Sequence, residues 1–239
     1  MKSPHWSFPH LKQPQRGYRY NIDSFFLARF AQLKKTDRVC DLGAGVGILG
    51  VLATQRYQVT HVTAVEIQEE LAKFARENIR DLDLDKSMEV WEMDWKDLPQ
   101  KKPRPKFDVV LSNPPYQALH AGRLPPRSGK AIAKHEIHGD MSGLLQVAKI
   151  ILQVKGRLCL LYPVVRLEEC LEKLKSVGLK CQRMVFIHPF AERPATHFIL
   201  EAVHAPTREL RVETPLIVYR DPKHYTAEVE AWVGKKYRR

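Results

Sequence analysis

Apolar and polar positions change period in blocks along this chain. Arg38–Leu42 is a short apolar run entering a glycine-rich turn, the pattern of a buried parallel strand. Ile48–Gln55 then has the length and spacing of a helix, and Val59–Glu66 is a second strand rich in β-branched residues. Gln68–Ile79 carries Leu71, Phe74, Ala75 and Asn78 at helical spacing. Met88–Trp91 and Phe107–Ser112 predict two more strands, Met141–Gln153 a helix, Gly156–Leu161 a strand, and Leu167–Val177 a helix stopped by Gly178. Lys180–His188 and Thr196–Val203 predict a closing strand pair. Strands alternating with helices predict an α/β, doubly wound fold around a mainly parallel sheet. Two stretches break the rhythm. Pro99–Pro105 cannot be helix interior and reads as an exposed basic loop. Gln117–Lys134 is long, basic and punctuated by Gly122, Pro125, Pro126 and Gly129, just past a strand end where open α/β sheets bind ligands.

At 239 residues, 44% hydrophobic and 28% charged, the chain can bury a full core in one domain without disulfides. Cys40, Cys159, Cys170 and Cys181 are widely spaced and form no C-x-x-C pair, so they read as packing residues. His135 and His138 are one helical turn apart but have no visible third ligand, so no metal is expected. No apolar run is long enough to span a bilayer, and Met1–Gly17 lacks the apolar stretch of a signal peptide; the expected compartment is the cytoplasm.

The formal charge of +12 is unevenly placed. Residues 1–36 carry a surplus of six, residues 37–95 a deficit of six, and Lys96–His135 a surplus of seven. Basic segments on both sides of an acidic one suggest a polyanionic partner such as a nucleic acid; a soluble basic protein with solvated lysines is the plainer alternative.

Two constellations carry chemistry. Asp41-Leu-Gly43-Ala44-Gly45-Val-Gly47 ends the first strand in a G-x-G-x-G pattern, whose glycines let backbone pass close to a ligand. Glu66 ends the second strand, where a carboxylate can accept both hydroxyls of a ribose; together they predict an adenosine-containing cofactor. Asn113-Pro114-Pro115-Tyr116 ends the Phe107–Ser112 strand. Its prolines hold the Asn113 side-chain oxygen and the Pro114 carbonyl at a fixed separation, suited to gripping the two hydrogens of an NH₂ group. Tyr116 offers a face for a planar group to stack on.

These motifs resemble class I S-adenosylmethionine-dependent methyltransferases acting on planar amino nitrogens. The chain is further similar to the bacterial tRNA1(Val) adenine-N6-methyltransferases through Gln13-Pro14, Gly17–Asp23, Lys134-His-Glu136, Tyr162-Pro163 with Arg166-Leu167, and Pro215–Tyr219 with Tyr225-Thr226. The resemblance runs from about Leu11 to Trp232. It implies a Rossmann-like seven-stranded sheet with an antiparallel last strand, S-adenosylmethionine as cofactor, and a tRNA adenosine beside a valine anticodon as substrate. Asp41, Gly43, Ala44, Gly45 and Gly47 would line the cofactor, Glu66 would hold its ribose beside Ile67, and Asp94 its adenine amine, edged by Trp95. Arg19, Tyr20 and Asp23 would cap it, making residues 1–36 a cap over the cofactor site; residues 205–239 read as a basic C-terminal extension of the single domain, and a monomer is assumed with the oligomeric state left open. The chain departs from the family pattern at Met93, where a glycine usually stands, and at Asp81–Leu84, which replaces an Asn-containing turn.

For the RNA, the basic residues Lys101, Lys102, Arg104, Lys106, Arg123, Arg127, Lys130 and Lys134 are expected to grip phosphates. The rival readings are N-methylation of an rRNA or DNA adenine or of a protein glutamine amide, and a non-catalytic RNA-binding protein that kept the fold.

Overall fold

The computed structural model describes residues 10–15, 19–114, 141–206 and 208–233. The expected strands and helices form in order: β1 (Arg38–Leu42), α2 (Ile48–Tyr57), β2 (His61–Glu66), α3 (Glu69–Asp81), β3 (Met88–Glu92), β4 (Phe107–Ser112), α4 (Met141–Ile151), β5 (Leu152–Pro163), α5 (Leu167–Val177), β6 (Lys180–His188) and β7 (His197–Val203). The sheet runs β3-β2-β1-β4-β5-β7-β6, parallel throughout except β7, which is antiparallel to both its neighbours. The sheet has nine strands rather than the expected seven, because two-residue strands β8 (Arg211–Val212) and β9 (Leu216–Ile217) pair with the outer side of β6. The chain closes with the antiparallel pair β10 (Tyr219–Asp221) and β11 (His224–Tyr225), then helix α6 (Ala227–Val233).

Alternation along each strand feeds two core layers. Val39, Val109 and Leu111 join the side chains of α2, α3 and α6, whereas Cys40, Leu42, Phe107 and Val110 face α4 and α5. Such two-sided burial is why these strands read as near-continuous apolar runs. Pro99 lies within a short 3₁₀ helix (Trp95–Gln100), not in a plain loop; its neighbours Asp97 and Lys101 donate the hydrogen bonds that close the turns, so a residue without N–H is tolerated.

The N-terminal helix α1 (Asp23–Phe30) joins the first layer through Phe25, Phe26, Leu27 and Phe30. Two arginines of the sheet take over the carbonyls at its C-terminal end. Arg183 donates to Phe30 O at 2.6 Å, and Arg157 donates to Ala31 O at 3.1 Å and to Asp37 Oδ2 at 3.0 Å. Glu201 on β7 joins them, 2.9 Å from Arg183 and 3.8 Å from Arg157. Removing its carboxylate leaves two largely buried guanidinium groups short of an acid. Glu201→Ala is therefore expected to cost about 3 kcal/mol of unfolding free energy, measured by urea titration, with Glu201→Gln costing less.

Candidate active site

The carboxyl ends of β1, β2, β3 and β4 share one edge of the sheet, and the expected motifs meet there. Gly43, Gly45 and Gly47 all take positive φ, +77°, +57° and +85°, a region that side chains with a Cβ rarely adopt. The turn is pinned to β2: Gly43 N–H and Ala44 N–H both donate to Val65 O at 3.0 Å. Gly43 and Gly47 are glycines for different reasons. A Cβ on Gly43 would meet nothing within 4 Å, so that position borders open space. A Cβ on Gly47 would come within 3.2 Å of Met88 Cε and 3.4 Å of Ala75 Cβ, so it would need a small shift of the Met88 side chain in addition to the left-handed backbone.

Glu66 is 4% exposed and braces the turn, its Oε2 accepting from Gly45 N–H and its Oε1 from Gln68 N–H, both at 2.8 Å. Burial pushes this carboxyl up in pKa while those backbone donors pull it down. Ile67 follows Glu66 at the surface. Met93 N–H donates to Glu66 O at 3.1 Å and so joins the end of β3 to that of β2. Asp94 comes next, its Oδ1 accepting from Lys96 N–H at 2.9 Å to cap the 3₁₀ helix. Trp95 packs partly against the α4 layer.

Asp41 differs from every other acid in the site. It is 1% exposed, and neither carboxylate oxygen has a hydrogen-bond partner among the described residues. Burial first, then the Glu66 charge, pushes its pKa up to about 8. Two buried acids at this end of the sheet, one of them unpartnered among the described residues, favour a cation with N–H donors. S-adenosylmethionine carries both a sulfonium and an ammonium, so the donor set fits it.

Ser112 ties the acceptor side of the site to this edge. Its buried hydroxyl donates to Leu42 O at 2.9 Å, joining the end of β4 to the end of β1, so Asn113 and Pro114 emerge beside Gly43. Pro115 and Tyr116 lie outside the described residues, as do Arg123, Arg127, Lys130, Lys134, His135 and His138.

Among the other basic residues, Lys106 lies away from Asn113. Lys106 precedes β4, whose six residues separate it from Asn113 by roughly 20 Å at 3.3 Å per residue. Its ammonium binds the Ile150 and Leu152 carbonyls at 2.8 and 3.2 Å, closing the end of α4. Arg104 and Lys102 are exposed, Arg104 donating to Pro99 O at 3.1 Å. Lys101 reaches back over the Trp91 ring, 4.4 Å from its centroid, and Trp91 pairs with Val65 close to the turn.

From the N-terminal segment, Arg19 is exposed, and Tyr20 packs on the core layer that also holds Ala44 and Val46. Asp23 accepts from Asn21 Nδ2 at 2.7 Å, and its N–H donates back to Asn21 Oδ1 at 2.9 Å. Sequence reasoning missed the bracing roles of Ser112 and Asn78. For Asn78 a signal existed, since an asparagine in the apolar stripe of a helix must find partners when buried. Among the described residues no three His, Cys, Asp or Glu side chains could hold a metal, and no helix is long and apolar enough to cross a membrane.

The strand order, the glycine turn after β1, the acid closing β2 and the Asn-Pro after β4 define a Rossmann-like methyltransferase. Residues 20–162 match the methyltransferase small domain, and the chain belongs to that family. It is similar to the tRNA1(Val) (adenine(37)-N6)-methyltransferase of Shewanella frigidimarina, 27% identical over 83% of this chain and 80% of that protein. The protein of the same name from Proteus mirabilis is 26% identical over 92% of this chain and 87% of its own length. In fold the chain is similar to a predicted O-methyltransferase from Agrobacterium tumefaciens (TM-score 0.68, 24% identity, 88% of this chain and 94% of that one). A methyltransferase from Pyrococcus furiosus is also similar (TM-score 0.59, 18% identity, 82% and 89%).

Proposed function

We propose that this protein transfers a methyl group from S-adenosylmethionine to the N6 amine of a tRNA adenosine beside the anticodon of a valine tRNA. The observation that supports the reading is the Ser112–Leu42 hydrogen bond, which ties the end of β4, where Asn113-Pro114 follows, to the end of β1, where Gly43 follows. The names of the relatives support adenine N6 and tRNA.

When bound, S-adenosylmethionine supplies an electrophilic methyl carbon. Asp41 and Glu66, with the Gly43–Gly47 backbone, would hold it, and Asp94 would take its adenine amine. Adenine N6 is a poor nucleophile because its lone pair is delocalised into the ring. Asn113 Oδ1 and the Pro114 carbonyl accept its two N–H bonds and favour the pyramidal nitrogen, freeing that lone pair. Alignment provides the rest of the acceleration, and the surplus proton leaves to water. An unpaired loop nucleotide reaches such a pocket at lower cost than one flipped from a duplex. Lys101, Lys102 and Arg104 would meet RNA phosphates, residues 1–36 would cap the cofactor, and 205–239 would add a basic flank.

The test is nucleoside mass spectrometry on unmodified tRNA incubated with the purified protein and S-adenosylmethionine. N6-methyladenosine in valine tRNA is expected. A protein that binds the cofactor yet methylates no tRNA adenosine would refute the reading.

A further inference from the structure

The N-terminal segment is held to the glycine turn by one side chain. Asn78 on α3 is 2% exposed. Its Oδ1 accepts from Lys12 N–H at 2.7 Å, and its Nδ2 donates to Lys12 O and to Val46 O, each at 3.0 Å. The two bonds to Lys12 replace those a neighbouring strand would make, for a stretch with no strand partner of its own. The third bond reaches the turn between Gly45 and Gly47. Leu11 and Pro14 are buried on either side of the clasp. The Lys12 ammonium pairs with Asp81 at 2.9 Å and Glu77 at 3.5 Å on the same helix. Between Lys12 and Pro14, the Gln13 side-chain oxygen is buried without a hydrogen-bond partner among the described residues. A buried acceptor left unused is costly unless a ligand supplies the donor.

We infer that Asn78 is a positioning residue for the cofactor: it holds Lys12–Pro14 against the Gly45–Gly47 turn as a wall of the pocket, where the Gln13 carbonyl accepts a donor from the bound cofactor. This rests on S-adenosylmethionine being that cofactor. Asn78 acts only through the backbone it holds. Its loss should weaken binding and raise KM for the cofactor while leaving kcat nearly unchanged.

Calorimetry with S-adenosylhomocysteine, and amide exchange of residues 10–15, test this on the full chain. Asn78→Ala is expected to raise Kd roughly tenfold and to speed exchange in 10–15. Asn78→Asp keeps the acceptor for Lys12 and loses both donors, and should fall between Asn78→Ala and the unaltered protein. Gln13→Leu should raise Kd several-fold with exchange unchanged. Faster exchange with unchanged Kd in Asn78→Ala would make the clasp mere packing and overturn the inference. If Asn78→Ala does not fold, Lys12→Pro removes one bond of the clasp together with the ion pairs to Asp81 and Glu77, and Lys12→Ala, which removes only the ion pairs, is its control. Unchanged Kd in both Lys12→Pro and Gln13→Leu overturns the inference equally. Failure of the unaltered protein to bind S-adenosylhomocysteine instead overturns the cofactor reading, and the inference with it.

Discussion

Asn113→Ala is expected to lower the rate of methyl transfer on the order of 10²–10³-fold, because one of two fixed acceptors for the reacting amine disappears. Asn113 is half-buried and follows the strand, while the Ser112 hydroxyl holds β4 to β1, so the substitution keeps that tie. Cofactor affinity, read by calorimetry, and tRNA affinity, read by filter binding, should therefore hold steady while single-turnover rates collapse. A variant that transfers methyl groups at the native rate would remove Asn113 from the chemistry. One that loses tRNA affinity but not rate would make it a recognition residue.

The second large effect is a pH dependence set by Asp41. Its carboxyl titrates near 8 in the folded chain against an ordinary value of 3.8, so the native state binds a proton that the unfolded chain has lost. The stability this proton confers is fully present below pH 3.8 and is lost as pH rises towards 8. The slope of stability against pH in that window is at most about 1.4 kcal/mol per pH unit. A cationic ligand favours the ionised form. Binding of S-adenosylmethionine at pH 7 should release roughly one proton, and affinity should rise up to about tenfold per pH unit until pH 8. Calorimetry in buffers of different ionisation enthalpy reads the proton count, and urea titrations without cofactor read the slope. Asp41→Asn should abolish both and weaken cofactor binding. Persistence of proton release in that variant would place the titrating group elsewhere.

Much of the fold was legible because the strands are buried on both faces and the helices on one. Arg38–Leu42, Phe107–Ser112, Leu167–Val177 and Lys180–His188 have the bounds that their apolar runs predict. Helix α1 was not legible: Ser24, Phe25, Phe26, Leu27 and Ala28 are buried in succession, leaving no polar face to give a helical period. The helix predicted to reach Gln153 stops at Ile151, where Lys106 caps the carbonyls and β5 begins at once. Strands of two or three residues, such as β8 and β11, are too short for periodicity to register.

The site was legible in its motifs and not in its wiring. Asp41, the glycines, Glu66 and Asn113 announce themselves by residue type at strand ends. That Asp41 has no partner among the described residues, or that Lys106 lies a strand's length from Asn113, follows only from pairing between distant segments.

The seating of α1 has a consequence for how the protein is made. Asp37 meets Arg157 across 120 residues, and Phe30 meets Arg183 across 153. Glu201, which neutralises both arginines, lies on β7, a strand that inserts between β5 and β6 although it is synthesised after both. A nascent chain halted before His197 already contains every motif residue of the site, yet it lacks the strand that seats the first helix. The arginine seat of α1 is therefore completed only once β7 has been made, whereas its packing against α2 uses segments already present. The first helix is thus expected to reach its final seating only after the last long strand has left the ribosome, later than the βα units that carry the glycine turn.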